Sequence, residues 1–588
     1  MAAAAALAAA TPATHAANLA GLPFRLYAPL AAVLASGAAA WVLLRVPGGT
    51  GTRLRRDWRG PVALASMCGL AALLLLRVQH ATSDDSAYLP PVVRCLADPG
   101  SPPGWGGFLW IGESPPPLPR WALPVPFDFL EGVLAWATGI PLLTVRYLVV
   151  PPLLAALVPL AWFLLLHRAG FGERPALAGT FAGLAALLLM REGPAAPGCV
   201  LLLRVYQAKF FFLAVLLPLF AARALDFLRA PSPRGWGVLA VLATASAGCS
   251  LSSVLLQVLL APALAAAGAV AAPARWRRAV LLLAAVLYPA AVALWIHGDA
   301  RADLAPTSAV NLDRERTLEA HATAVFGGPL TAGLSAAGLL AAALALAGEV
   351  RRFLLGWSAA ILVLYLNPVV AGFVMENVTS TDIYWRTCYL LPLPLWLAVP
   401  GALLAARREA AGARRSALPA VLAAAGLLLA QLPARSAGLF RATQFAYPWP
   451  TPDNCLGPAA ADARWIAATA PPGPFLAPQY VSTLVPMIAA DLPAVVHWPG
   501  PLRLWMDVAG RADEARLRLS AGQALQSGEE RGLAALAELL RRHPAVRSVA
   551  ARPEALRSPG LEAALSAGGF LPAGASRSGL RLFVRPGR

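Results

Sequence analysis

Lysine is nearly missing from this chain of 588 residues: Lys209 is the only one, and the other 47 cations are arginine. Charge of any kind is scarce. Asp, Glu, Lys and Arg make 13% of the residues against 58% hydrophobic, more apolar surface than a water-soluble fold of this length could cover. The six cysteines form no CxxC and no Cys/His spacing, which excludes zinc modules and leaves the metal set empty on motif grounds. There is no Gly-rich phosphate loop after a strand, no HExxH and no Gly-x-Ser-x-Gly. No basic patch alternates with exposed aromatics, so nucleic acid is not an expected partner. The Ala-rich segment 1–20 lacks the basic region of a cleavable signal, and residues 1–25 read as a disordered leader.

What is present is a series of apolar runs long enough to cross a hydrocarbon core of about 30 Å as helices. They lie near 26–46, 61–79, 143–166, 176–190, 209–225, 237–253, 254–271, 279–297, 329–347, 353–371, 388–405 and 417–433. The expected fold is therefore an all-α polytopic membrane bundle of about twelve spans over 26–433. Arginine orients it. The loops at Arg53–Arg59, Arg168–Arg174, Arg223–Arg234, Arg275–Arg278, Glu349–Arg352 and Arg407–Arg415 hold 18 Arg against five acids. By the positive-inside rule these loops are cytoplasmic. The net charge of +18 is thus mostly topology. The N-terminus, the loop 80–142 and the tail 434–588 are expected outside the cytoplasm of a multi-pass plasma-membrane protein. The tail reads as a small α/β domain. Its expected strands include "PAVVHW", "AVRSVAAR" and "GLRLFVR", with one long charged helix over 511–543 and another at 559–568.

Three outer clusters carry chemistry. Ser83-Asp84-Asp85-Ser86 follows directly on the 61–79 run and can cap a helix over 86–97. Paired carboxylates at a membrane boundary are costly without a role, although a solvated helix cap is the competing reading. They also offer oxygen ligands to a divalent cation, the one cofactor the sequence allows. Lys209, in Tyr206-Gln207-Ala208-Lys209, stands at the mouth of another span, either snorkelling to headgroups or meeting a substrate phosphate. Arg386, in Ile383-Tyr384-Trp385-Arg386, has the same two readings at a third mouth. His80 and Glu131 are weaker candidates in the long outer loop, whose segment 127–140 reads as a helix lying on the membrane.

The order of these elements resembles the glycosyltransferase C (GT-C) superfamily, polytopic enzymes that include protein O-mannosyltransferases and the aminoarabinose transferase of lipid A. The resemblance is carried by "SDDSAYL" after an early span, "FLEGVLAWATGIPLLTVRYLVVPPLLAAL", "YQAKFFFLAVLLPL", "YWRTCYLLPLPLWL" and the C-terminal domain. An uncharacterised bacterial group within that superfamily shares a similar DDAxYL-like pattern. The resemblance implies inverting transfer of a sugar from a polyprenyl-phosphate donor to an extracytoplasmic glycan or protein acceptor. It assigns the general base to Asp84 or Asp85 and the leaving phosphate to Lys209 and Arg386. Tyr88, Gln207, Tyr384, His80 and Glu131 are further substrate-binding candidates. Gln207-Ala208-Lys209 replaces a glycine-containing triplet of that pattern, and the 26–46 run is an extra helix before the acids. Two other classes compete. A flippase of lipid-linked saccharides would need an internal repeat or paired broken helices, and neither is visible. An inactive GT-C-like envelope scaffold would leave the charges scattered.

Overall fold

The computed structural model describes residues 1–45, 59–78, 85–104, 109–112, 123–190, 195–303, 317–378, 384–410, 451–499, 502–503, 506 and 509–586. Among the described residues, five helices are long and apolar enough to cross a bilayer: Phe24–Leu44, Leu142–Arg168, Ala208–Arg229, Leu251–Ala271 and Tyr384–Ala410. Three bent pairs raise the number to eight. These are Pro273–Ala284 with Leu287–Ile296, bent 53°, Leu318–Phe326 with Pro329–Ala345, bent 90°, and Gly348–Leu364 with Pro368–Met375, bent 68°. Two of the breaks fall just before Pro329 and Pro368, as expected where proline disfavours helix in the residue ahead of it. The apolar runs at 61–79, 176–190 and 237–253 are helical too, and 417–433 lies outside the described residues. The chain is a polytopic helical membrane bundle with a small α/β domain at its C-terminal end.

The first helix corrects the sequence reading. Residues Ala2–Leu19 form a packed helix, α1, not a disordered leader. Alanine has the best intrinsic helix propensity, and its small side chain lets backbones approach closely. The polar residues that argued against burial are satisfied. Thr11 and Thr14 donate to the carbonyls of Leu7 and Ala10 at 2.7 and 2.8 Å, Thr14 also meets the Tyr27 hydroxyl, and His15 Nδ1 meets Tyr288 Oη at 2.9 Å. Met1 lies near Arg223, whereas Asn18 donates to Pro103 O in the outer loop at 2.7 Å. A helix of this length rises about 27 Å. It therefore runs from the arginine-rich end to the outer-loop end, and the N-terminus lies at the arginine-rich end instead of the opposite one. The next helix, α2 (Phe24–Arg45), returns, and α3 (Arg59–Val78) leads up to the acid pair.

At the arginine-rich end, Asp226 faces Arg168 and Arg223 at 3.4 and 3.3 Å. Glu349 faces Arg229 and Arg275 at 3.4 and 3.0 Å. Arg278 donates to the carbonyls of Leu228 and Arg229, and Arg229 to that of Arg168. The arginines thus cap the exposed carbonyl ends of the spans where the helix dipole favours a cation. Four loops separated in sequence are brought to one end, as the arginine asymmetry required.

At the other end two short helices, α4 (Asp85–Ala97) and α5 (Pro126–Thr138), lie under the C-terminal domain. One apolar core joins Leu89, Val92 and Phe129 of these helices to Cys455, Ile466 and Val485 of the domain. The domain carries a four-stranded sheet, order β1-β2-β4-β3, from β1 (Phe475–Leu476), β2 (Ser548–Ala551), β3 (Leu571–Ala575) and β4 (Arg581–Val584). β1 runs parallel to β2, and the other pairs are antiparallel. The expected helix over 511–543 is two, Ala512–Ser527 and Glu530–Arg542. Gly528 separates them with φ 75°, a left-handed end that glycine adopts at little cost. The expected "PAVVHW" strand reduces to bridges at Ala494, which pairs with Phe475 of β1 and with Leu109 of the outer loop.

Small residues set the spacing of the spans. A Cβ at Gly338 would sit 2.2 Å from the Trp396 carbonyl oxygen, and one at Gly179 2.8 Å from that of Ala398. Gly338→Val should therefore force the 329–345 helix off its neighbour and cost about 1–3 kcal/mol. Thermal unfolding of the purified protein should show a lowered midpoint. An unchanged midpoint would show that these helices do not touch there.

Candidate functional site

The acid-bearing helix starts at the acids. Asp85 is the first residue of α4, where a carboxylate meets the positive end of the helix dipole. Its side chain is not solvated: it is fully buried, and Oδ1 accepts from Arg146 Nη2 at 2.7 Å. Asp128 and Glu131 stand three residues apart on one face of α5, and Arg146 Nη1 donates to both at 3.0 Å. Arg146 itself sits in a π-helical turn, Val145–Val149, at the mouth of the 142–168 span. Such a turn inserts a residue and shifts the face a side chain presents. One guanidinium thus gathers three carboxyl groups from two other elements, all buried to within a few per cent.

Three carboxylates cannot all stay charged against one cation in a dry site. Glu131 is held above its ordinary value. Burial pushes it up to about 8, opposed by Arg146 and reinforced by Asp128 and Asp85. Its Oε1 has no hydrogen-bond partner among the described residues. Asp84 and His80 lie outside the described residues. So does one half of the expected cation site, and among the described residues no group of three or more His, Cys, Asp or Glu side chains is placed to hold a metal ion.

The second cluster is cationic and aromatic. Gln207 is buried and accepts from Arg204 Nη2 at 3.1 Å. Arg204 and Lys209 both lie against the Phe210 ring, at 4.6 and 5.1 Å from its centroid. Phe210 packs on Trp385 at 6.5 Å, and Arg386 lies against that indole at 5.3 Å while donating to Ser252 Oγ at 2.7 Å. Three half-buried cations from two distant segments therefore surround one pair of rings. Tyr384 is buried beneath them, its hydroxyl donating to the Tyr365 carbonyl and its ring edge-on to His321. Tyr88, half-buried on α4, packs against the main apolar core.

The start of α5 couples the two clusters. Phe127, the residue before Asp128, packs on Phe211 at 6.2 Å, two residues beyond Lys209. The Phe127 N–H donates to Gly248 O at 3.0 Å. Gly248 lies just ahead of Ser250, which caps the 251–271 helix carrying Ser252, the partner of Arg386. Asp85, Glu131, Lys209, Gln207 and Arg386 are thus linked through the contacts of Phe127 with Phe211 and Gly248. Sequence reasoning missed Arg146, Asp128 and Arg204. An arginine inside an apolar run and an i,i+3 acid pair were the available signals for the first two.

Two outcomes follow. Arg146→Met should leave buried carboxylates unpaired and cost about 3–5 kcal/mol, read as loss of folded protein or a large fall in unfolding midpoint. Glu131 binds its proton more tightly when folded, about 8 against an ordinary 4.5. Its contribution to stability is therefore full below its unfolded value and is lost as pH rises through about 8. Glu131→Gln, which mimics the protonated acid, should flatten the decline in unfolding midpoint between about pH 5 and 9. Parallel curves for the two proteins would refute the raised value.

No protein-family model matches the chain, and no curated protein does. Among solved structures it is similar to ArnT from Cupriavidus metallidurans, solved bound to undecaprenyl phosphate, with a TM-score of 0.45 and 14% identity over 93% of this chain and 98% of that one. It is also similar to the Archaeoglobus fulgidus oligosaccharyltransferase, solved in complex with zinc and sulfate, with a TM-score of 0.44 and 12% identity over 89% of this chain and 73% of that one.

Proposed function

We propose that this chain is a membrane glycosyltransferase that moves a sugar from a polyprenyl-phosphate donor to an acceptor on the side of the bundle covered by the C-terminal domain, and that this side is extracytoplasmic. The observation that carries the reading is the convergence of a buried carboxyl cluster and a cationic, aromatic cluster at one end of the bundle, joined through Phe127 and Phe211. The sequence resemblance to GT-C enzymes supplies the reaction class.

The division of labour follows from burial. Asp85 has no solvent exposure and is held by Arg146, so it is an anchor and not a proton acceptor. Asp84 precedes the first residue of α4 and is the base. In the transfer, the acceptor oxygen bonds to the anomeric carbon as the bond from that carbon to the phosphate oxygen breaks. The acceptor proton passes to the Asp84 carboxylate. The polyprenyl phosphate leaves with increased negative charge, which Lys209, Arg204 and Arg386 stabilise. A compact ammonium and two guanidiniums suit a phosphate that must be held and then released.

The test is transfer from radiolabelled polyprenyl-phosphate sugars in purified membranes. Asp84→Asn should cut turnover by about 100-fold or more with folding intact, because a base acts mainly in the transition state. Lys209→Ala should weaken donor binding and turnover together, and Lys209→Arg should recover part of both. Wild-type rates for Asp84→Asn and Lys209→Ala would remove the catalytic reading. Labelling of single cysteines in intact cells should reach the C-terminal domain and not position 278.

A further inference from the structure

The sequence of α4 contains a defect that another part of the chain repairs. Within the run Asp85-Ser86-Ala87-Tyr88-Leu89-Pro90-Pro91, the carbonyl of Ser86 would accept from the main-chain N–H of residue 90 in a regular α-helix. Residue 90 is proline and has no N–H. Ser86 is buried, as are its neighbours Asp85 and Ala87, and a lost main-chain donor is costly there. His497 of the C-terminal domain is aimed at it, with Nε2 3.3 Å from Ser86 O across 411 residues of sequence. A carbonyl can only accept, so Nε2 carries the hydrogen.

His497 has no solvent exposure and is held from behind. Val495 N–H donates to Phe475 O of β1 at 2.9 Å, and Ser482 Oγ donates to Val496 O at 2.6 Å. The buried Arg518 donates to Val495 O at 3.1 Å and to Trp110 O of the outer loop at 2.5 Å. Trp110 N–H in turn donates to Ala494 O at 2.8 Å. Glu514 fixes Arg518 through its Nε at 2.7 Å, and His543 fixes Glu514 at 2.8 Å. Burial opposes ionisation of Glu514, yet these hydrogen bonds and charges hold its carboxyl down at about 2, so the support stays charged. Burial also pushes His497 down to about 4, which keeps the imidazole a neutral donor.

We infer that His497 is a positioning residue for the start of α4: it donates the hydrogen bond that Pro90 cannot supply to Ser86, and so fixes the first turn of the helix with Asp85 on Arg146. The C-terminal domain then completes the start of α4 instead of merely covering it. The structural half of this inference stands on the contacts alone. Its effect on turnover rests on the glycosyltransferase reading.

The experiment uses the full-length purified protein, with two readouts. His497→Leu removes the donor, His497→Gln keeps an amide N–H, and Pro90→Ala returns a main-chain N–H to Ser86. Amide hydrogen exchange over the first turn of α4 should quicken by about tenfold in His497→Leu, with the 251–271 helix unchanged. His497→Gln should remain near wild type. Pro90→Ala combined with His497→Leu should recover much of the protection, because the missing donor is now local. Transfer should show turnover down by about tenfold in His497→Leu with donor KM little changed, since the donor is held by the cationic cluster. The double variant should regain rate. Unchanged exchange in His497→Leu, or a double variant no better than His497→Leu alone, would overturn the inference. If the exchange results hold while the wild-type protein transfers no sugar, the positioning contact stands and the transferase reading falls.

Discussion

An arginine buried beneath three carboxyl groups is an arrangement that water would dissolve. In the interior, each ion has given up its hydration, and the guanidinium recovers that cost only by meeting the acids in a fixed geometry. Arg146 does so with two of its nitrogens. The carboxyls come from α4 and α5, and the guanidinium from the mouth of the 142–168 span. One side chain therefore ties both outer helices to the mouth of that span. Whether the cluster adds net stability is secondary to its specificity. An alternative packing of α4 or α5 would strand a buried charge.

That constraint explains the layout of the site. With α5 fixed by its own acids, its first residues reach the opposite way, Phe127 to Phe211 and its N–H to Gly248. The carboxyl cluster and the cations about Phe210 and Trp385 are thereby held at a common end of the bundle. The division suits the proposed transfer, in which an anionic leaving group would meet cations already fixed in place. Preorganised charge of this kind does not have to rearrange as the bond breaks.

The C-terminal domain is part of the same construction. It shares an apolar core with α4 and α5, clamps the outer loop at Leu109–Ile111 through Ala494, Arg511 and Arg518, and reaches Ser86 with His497. A domain that merely capped the bundle would need the apolar contact alone. The directed hydrogen bond from His497 to Ser86 joins the domain to the first turn of α4 as well.

The sequence by itself determined the membrane-embedded helices, their arginine-rich end and the placement of Asp85 at a helix start. Those features are local, since a run of apolar residues partitions into lipid, and arginine prefers one side of it, whatever the rest of the chain does. Lys209 and Arg386 were legible for a related reason, as cations at the ends of apolar runs are rare enough to be seen singly. Tertiary structure alone decided what these residues touch. It paired Asp85 with an arginine 61 residues away, raised Glu131 well above the ordinary carboxylate range by burial, and added Arg204 beside Lys209. It turned an alanine-rich leader into a buried helix, because small side chains gain from close packing that no local pattern reports. Pro90 shows where the line falls. Its missing N–H is written in the sequence, but the donor that replaces it comes from a histidine 411 residues from Ser86, brought there only by the folded domain.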